Sequence, residues 1–239
     1  MSFPKITRSI NEKEERIKTQ FLIESLELIL ERGKCVGCGT CARVCPHDAI
    51  SRGPIAAAKK FPTMEDIIPN LYDPRKCVYC GCCVAMCPFS ALTIKKDGEI
   101  IELNEIIIVK EKVLPQLEFE AKKITDNEGI ERVVKQYTDG EVSIVDEECS
   151  GGCRACADVC PSGAITIPAK AEKGWESVPN VVVDSEKCIF CGSCDNACPT
   201  GAIKLKITEV KSSGDFSELF WIPLVDRLKT LRWSEKKEE

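Results

Sequence analysis

Residues 77–92 read CVYCGCCVAMCPFSAL. Cys77, Cys80, Cys83 and Cys87 stand at the spacing Cys-x2-Cys-x2-Cys-x3-Cys, closed by Pro88. Working outward, the same spacing recurs at Cys35, Cys38, Cys41, Cys45 and Pro46, and again at Cys188, Cys191, Cys194, Cys198 and Pro199. A further run, Cys149, Cys153, Cys156, Cys160 and Pro161, carries one extra residue within Cys149-Ser150-Gly151-Gly152-Cys153. Small residues fill that insertion, so a loop can absorb it and keep the ligands in place. The four runs take all but one of the 17 cysteines, and Cys82 is left over.

This spacing has a mechanical meaning. Three thiolates two residues apart wrap three corners of an iron–sulfur cubane, and the fourth, a helical turn later, points to a neighbouring cubane. Gly37, Gly39, Gly81 and Gly192 lie between ligands, where a backbone without Cβ can approach the sulfides. Zinc would need two Cys-x2-Cys pairs around one ion rather than proline-closed runs of four. Disulfides would imply export, and the first 30 residues carry no export signal. Iron–sulfur ligation is the reading that remains, in a protein expected in the cytoplasm.

Under the interleaved rule, cluster A takes Cys35, Cys38, Cys41 and Cys87, and cluster B takes Cys77, Cys80, Cys83 and Cys45. Cluster C takes Cys149, Cys153, Cys156 and Cys198, and cluster D takes Cys188, Cys191, Cys194 and Cys160. Four [4Fe-4S] clusters result, with every iron ligated and none open to substrate. Cys82 reads as a small buried residue or free thiol, with a replacement ligand as the alternative; His47, the one histidine, reads as a surface residue at a helix start.

A wider repeat surrounds the runs. CPHDAI (45–50), CPFSAL (87–92), CPSGAI (160–165) and CPTGAI (198–203) repeat a small and then a large apolar residue. LYDPRKC (71–77), VVDSEKC (182–188) and SIVDEEC (143–149) each read as a strand and an acidic turn leading into the first ligand, and LELILERGKC (26–35) is a looser version. The unit is strand, cluster loop, short helix, strand, and two units make one pseudo-twofold module. The fold class is α+β: two tandem bacterial-type ferredoxin-like (ββα-β) modules with helical and loop insertions and terminal arms.

The expected organisation is an N-terminal arm over 1–24, module 1 over 25–117, a linker over 118–140, module 2 over 141–208 and a C-terminal arm over 209–239. Asn11 with Glu14 resembles a capping pair for a helix over about 12–24. Asp97-Gly98 predicts a hairpin, IIIV (106–109) a strand, and FEAKKITDNEGIERVVKQY (119–137) two short helices. The insertions at 51–70 and 168–180 read as loops, the first with a short helix. Leu224, Leu228 and Leu231 follow helical spacing in a tail holding Trp221 and Trp233, expected to pack on module 2 or to anchor another subunit.

Composition narrows the function. Lys+Arg of 33 against Asp+Glu of 38 gives a formal charge of −5 with no basic stripe, which excludes a nucleic-acid partner. No apolar run is long enough for a transmembrane segment. No Gly-rich nucleotide loop or catalytic pair is present, so no catalytic site is expected. The apolar shell around cluster B (Val78, Tyr79, Val84, Met86, Phe89) predicts a lower potential than at cluster C, where Ser150, Gly151, Gly152 and Arg154 lie.

Through these motifs, residues 25–208 resemble the polyferredoxins of anaerobic archaea and bacteria. VGCGTCARVCPHDAI with Gly53-Pro54, and CVYCGCCVAMCPFSAL with its Lys-Lys-Asp-Gly hairpin, are most similar to the polyferredoxin subunit of archaeal formylmethanofuran dehydrogenase, which usually has more clusters. The resemblance implies an electron-transfer subunit with protein redox partners in a multi-subunit oxidoreductase of the formylmethanofuran dehydrogenase, hydrogenase or heterodisulfide reductase type. A diffusible low-potential ferredoxin and an iron–sulfur redox sensor are the alternatives.

Overall fold

The protein is described from a computed structural model, over residues 3–51, 73–169 and 178–229. The insertion at 51–70 beyond Ser51, most of that at 168–180, and Leu231, Trp233 and the final tail lie outside the described residues. The chain opens with β1 (Lys5–Ile10), β2 (Glu14–Gln20) and β3 (Ser25–Glu31). The first cysteine run leads into α1 (Thr40–Val44), and the second into α2 (Cys82–Ala85), β4 (Leu92–Lys96) and β5 (Glu99–Ile100). All five strands form one antiparallel sheet in the order β1-β2-β3-β4-β5.

This corrects the helix expected over 12–24. EERIKTQ alternates, with Glu15, Ile17 and Thr19 buried and their neighbours half-buried, which is the period of a strand. Asn11 Oδ1 does accept the N–H groups of Lys13 and Glu14, both at 2.9 Å, but it closes the β1–β2 turn. An Asx turn and a helix cap use the same side-chain hydrogen bond, so the motif alone does not distinguish them. The hairpin at Asp97-Gly98 forms as the sequence predicts: both residues have positive φ (51° and 89°), and Asp97 Oδ1 accepts the Ser25 N–H at 2.7 Å.

A short helix, α3 (Ile107–Lys110), replaces the strand expected at 106–109. Ile106 and Ile108 are buried while Ile107 faces solvent; packing against Val44 and Met86 overrides the β-propensity of the isoleucines. Beyond β6 (Gln116–Leu117), the region expected to be a helical linker is a hairpin of β7 (Glu120–Thr125) and β8 (Glu131–Gln136). Its turn is built by Asp126, whose carboxylate accepts the N–H groups of Glu128 and Ile130 and pairs with Arg132 at 3.0 Å.

That hairpin joins the two halves of the molecule. Ile124 and Val134 enter the same core as Cys38, Cys41 and Ile189. Lys135 N–H bonds to the Pro88 carbonyl at 2.9 Å, and Asn127 Nδ2 donates to the Ala157 carbonyl at 3.1 Å. The second half comprises β9 (Thr138–Ile144), α4 (Ala155–Asp158), β10 (Ile165–Thr166), β11 (Val182–Val183), α5 (Ser193–Ala197) and β12 (Ile203–Val210). β9 pairs with β12 and β10 with β11, both antiparallel.

The alanines of the four CPxxA motifs are all buried, and each carbonyl takes the same bond. Asp73 N–H reaches Ala49 and Glu31 N–H reaches Ala91 in the first half; Asp184 N–H reaches Ala164 and Val145 N–H reaches Ala202 in the second. The lead-in to one run is thus tied to the tail of the other within each half. That crossing brings the fourth cysteine of each run towards its neighbour's first three.

After β13 (Ser212–Ser213) comes α6 (Glu218–Lys229). It buries Trp221, Leu224 and Leu228 against Val44, Met86, Ile108, Leu114 and Tyr137, beside α1, and it also packs against β12 of the second half, so the expected contact with module 2 is only part of its seat. Arg227 fastens it, with Nη1 donating to the Cys45 carbonyl at 2.8 Å and Nη2 to Asp48 at 2.6 Å. The C-terminal helix therefore covers the α1–α2 side of the first half. Among the described residues no helix is long and apolar enough to cross a membrane.

Candidate metal centre

Three of the four cysteine runs approach their short helix through a left-handed glycine turn, and the third run enters through Arg154 at φ −111°. Gly39, Gly81 and Gly192 precede α1, α2 and α5 with φ of 77°, 88° and 84°, a left-handed conformation that a Cβ disfavours. At Gly81 a Cβ would also collide with the Ile106 side chain. These turns aim the middle thiols inward, and the alanine pairing described above brings in the fourth.

Cys45, Cys77, Cys80 and Cys83 line one small cavity. Its walls are Ile17 from β2, Leu28 from β3, Ile94 from β4 and Ile50, with His47 at its rim. Tyr79, which closes one side, is held by a 2.9 Å hydrogen bond between its hydroxyl and Thr19 of β2. Cys149, Cys153, Cys156 and Cys198 line a second cavity, walled by Ile144, Val181 and Ile203. Cys160, Cys188, Cys191 and Cys194 line a third, walled by Val142, Ile165 and Leu205. Cys35, Cys38, Cys41 and Cys87 share the first core with Leu30, Phe89 and Leu92.

Electrostatics follows the same grouping. Burial pushes the Cys41 thiol well above its ordinary value, and the charges of Cys35, Cys38 and Cys87 push it further. Cys83 is raised by burial and then by Cys80, Cys77 and Cys45, and Cys194 by burial and then by Cys191, Cys188 and Cys160. Burial, then Cys153 and Cys198, takes Cys156 up to about 11. Four thiolates in one apolar pocket repel one another, so the set calls for a multivalent cation that displaces the protons.

All 17 cysteines are free of disulfides. Among the described residues, no three His, Cys, Asp or Glu side chains converge tightly enough to hold a single metal ion. A lone zinc would draw its sulfurs to about 2.3 Å from one point, whereas a cubane spreads its four ligands over separate iron corners. The donor sets therefore fit an iron–sulfur cubane: all-sulfur ligands, apolar walls and N–H groups turned to sulfur. Ala49 N–H lies 3.2 Å from Cys45 Sγ, and Ala91 N–H 3.3 Å from Cys87 Sγ.

Aligning the runs on their glycines reveals a feature that reading each run alone missed. Thr40 Oγ1 lies 3.4 Å from Cys38 Sγ, and Ser193 Oγ lies 3.4 Å from Cys191 Sγ. Cys82 occupies the same position after Cys80 and is fully buried. The Cys82 side chain beside it is the main cause that holds Cys80 below the ordinary cysteine range. Cys82 thus stands in its run where Thr40 and Ser193 stand in theirs. The third run has Ala155 there and no donor.

No curated protein sequence matches the chain. Among solved structures, it is similar to a chain of the formate dehydrogenase–heterodisulfide reductase–formylmethanofuran dehydrogenase complex from Methanospirillum hungatei. The identity is 26% and the TM-score 0.77, over 96% of this chain and 92% of that one. The 4Fe-4S dicluster domain model matches residues 34–91 and 128–202, which together exceed half of the chain and hold all four runs. By cysteine spacing, by the pockets those cysteines line and by this match, the chain belongs to the 4Fe-4S dicluster domain family.

Proposed function

We propose that this chain is an electron-transfer polyferredoxin with four [4Fe-4S] clusters, built as two tandem pseudo-twofold ferredoxin modules. In this reading, module 1 (25–117) and module 2 (141–208) each hold two clusters with the interleaved ligand sets A to D given above. The bound clusters supply reversible one-electron chemistry; the chain's own residues hold their thiolates, exclude water and set the local charge. With every ligand position taken by cysteine, no corner is left for substrate, so catalysis falls to a partner.

One observation carries this reading: four separate four-cysteine sets, two in each half, linked through a continuous core in which Cys38, Cys41, Cys83, Cys87 and Cys191 all take part. A chain of that construction suits a wire more than a single-site carrier. We further infer that it serves as a subunit of a larger oxidoreductase of the formylmethanofuran dehydrogenase, heterodisulfide reductase or hydrogenase type. The likeness to a chain of such a complex supports this, since it extends over nearly the full length of both chains. It includes the terminal elements that a minimal two-module carrier would not need. The narrower kinship with the polyferredoxin component of formylmethanofuran dehydrogenase rests on the motifs around Cys35 and Cys77.

Anaerobic purification of the native protein tests both levels. The expected result is about 16 iron per chain and co-elution with a catalytic subunit. Iron near half that value would refute the four-cluster reading. A lone monomer with full iron would refute the subunit reading and leave a diffusible ferredoxin.

A further inference from the structure

Arg43 lies in α1 between the two halves and is only 3% exposed. Its Nη2 donates to Thr40 Oγ1 at 3.2 Å and to the Cys191 carbonyl at 3.3 Å. Thr40 Oγ1 in turn lies 3.4 Å from Cys38 Sγ. A continuous line of contacts therefore runs from Cys38, through Thr40 and Arg43, to Cys191. Asn196 Nδ2 crosses the same junction to the Cys38 carbonyl at 3.4 Å.

Nε and Nη1 of Arg43 are buried with no hydrogen-bond partner, and among the described residues no carboxylate pairs with it. A guanidinium is always charged, and burying one without an anion is strongly unfavourable. The anions at hand are the thiolate sets on either side.

We infer that electrons pass between the two halves at the Cys38–Thr40–Arg43–Cys191 junction, and that Arg43 is the buried cation that eases reduction of clusters A and D there. This inference rests on the four-cluster reading. A single electron crossing the junction is lost on one side and gained on the other; no bond forms or breaks and no proton moves. The order along the chain becomes C, D, A, B, with C and B as the two terminal sites.

The test is an EPR-monitored redox titration of the intact protein and of Arg43→Gln and Arg43→Lys, with signals assigned by Cys87→Ser for A and Cys160→Ser for D. Arg43→Gln keeps a donor but loses the charge. It should make reduction of A and D at least tenfold less favourable, about 59 mV for one electron, with B and C unmoved. Arg43→Lys should restore most of the loss. The inference is overturned if A and D do not shift, if all four shift alike, or if Lys shifts them as far as Gln. An Arg43→Gln protein that loads less iron than wild type also overturns it, since Arg43 would then be structural. Low iron in the wild-type protein instead refutes the four-cluster reading, before any variant is made.

Discussion

Cys82 provides a sharp perturbation of a single site. Its thiol is fully buried beside Cys80, where the first and last runs place the Thr40 and Ser193 hydroxyls 3.4 Å from the ligand sulfur, and against a cluster-bound thiolate it can act as a donor. A hydrogen bond to a charged acceptor contributes about 1.5 kcal/mol at the low end of its range, and a thiol is a weak donor. Reduction takes a four-thiolate cubane from about −2 to about −3, a rise in charge of about half. A bond that scales with that charge gains about 0.7 kcal/mol on reduction, which at 1.36 kcal/mol per tenfold is about a threefold change in the equilibrium constant. At 59 mV per tenfold for one electron, Cys82→Ala should lower the potential of cluster B by about 30 mV. Cys82→Ser, which restores a hydroxyl as in the sibling runs, should bring it to wild type or above. The assay is a redox titration by EPR on protein of equal iron content. An unchanged or raised potential in Cys82→Ala, or a shift shared by all clusters, would refute the reasoning.

Four further outcomes follow from the same geometry. Cys87→Ala should remove cluster A and spare cluster B, read by iron content and EPR; loss of B with A intact would rule out the interleaved ligand sets. Gly81→Ala forces a left-handed residue and a collision with Ile106, so cluster B should fail to load while the second half still takes up iron. Leu228→Ala removes a side chain 1% exposed in the core it shares with Trp221 and should cost about 2–5 kcal/mol, seen as a lower Tm of the first half. Tyr137→Phe leaves the buried Met86 carbonyl without its donor and should cost about 1–3 kcal/mol. Burial raises the Tyr137 pKa above 10.0, so that hydroxyl contributes fully below pH 10, and its contribution is lost as the pH rises beyond. A stability profile flat through pH 11 would contradict it.

Much of the site was legible in the chain because cluster ligation is a local geometric demand. Spacing of two and three residues sets where thiols stand on a turn and its helix, and no distant residue is needed to read it. The CPxxA repeats were equally legible, since each alanine must be small to let the carbonyl meet the opposite lead-in strand. The equivalence of Cys82 with Thr40 and Ser193 was also present in the sequence, but only in the alignment of one run with another.

The errors fell where one local pattern serves two structures. Asn11 closes a hairpin with the same bonds it would use to cap a helix, and only pairing with β3 selects the strand. Residues 119–137 carry no strong period, and their hairpin exists because both halves need Ile124 and Val134 in a shared core. The isoleucines at 106–108 prefer strands, yet burial against α2 and α6 makes a helical turn the better fit.

The sequence by itself therefore determined the metal chemistry, the number of cysteine runs and the strand–loop–helix unit, all consequences of short-range spacing. Tertiary structure alone decided that α6 caps the first half, that the supposed linker joins the halves, and that Arg43 meets Cys191. Those contacts join residues far apart in the chain, and they are selected by which apolar surfaces remain to be covered and which buried charge remains to be neutralised, quantities that exist only once the chain has folded.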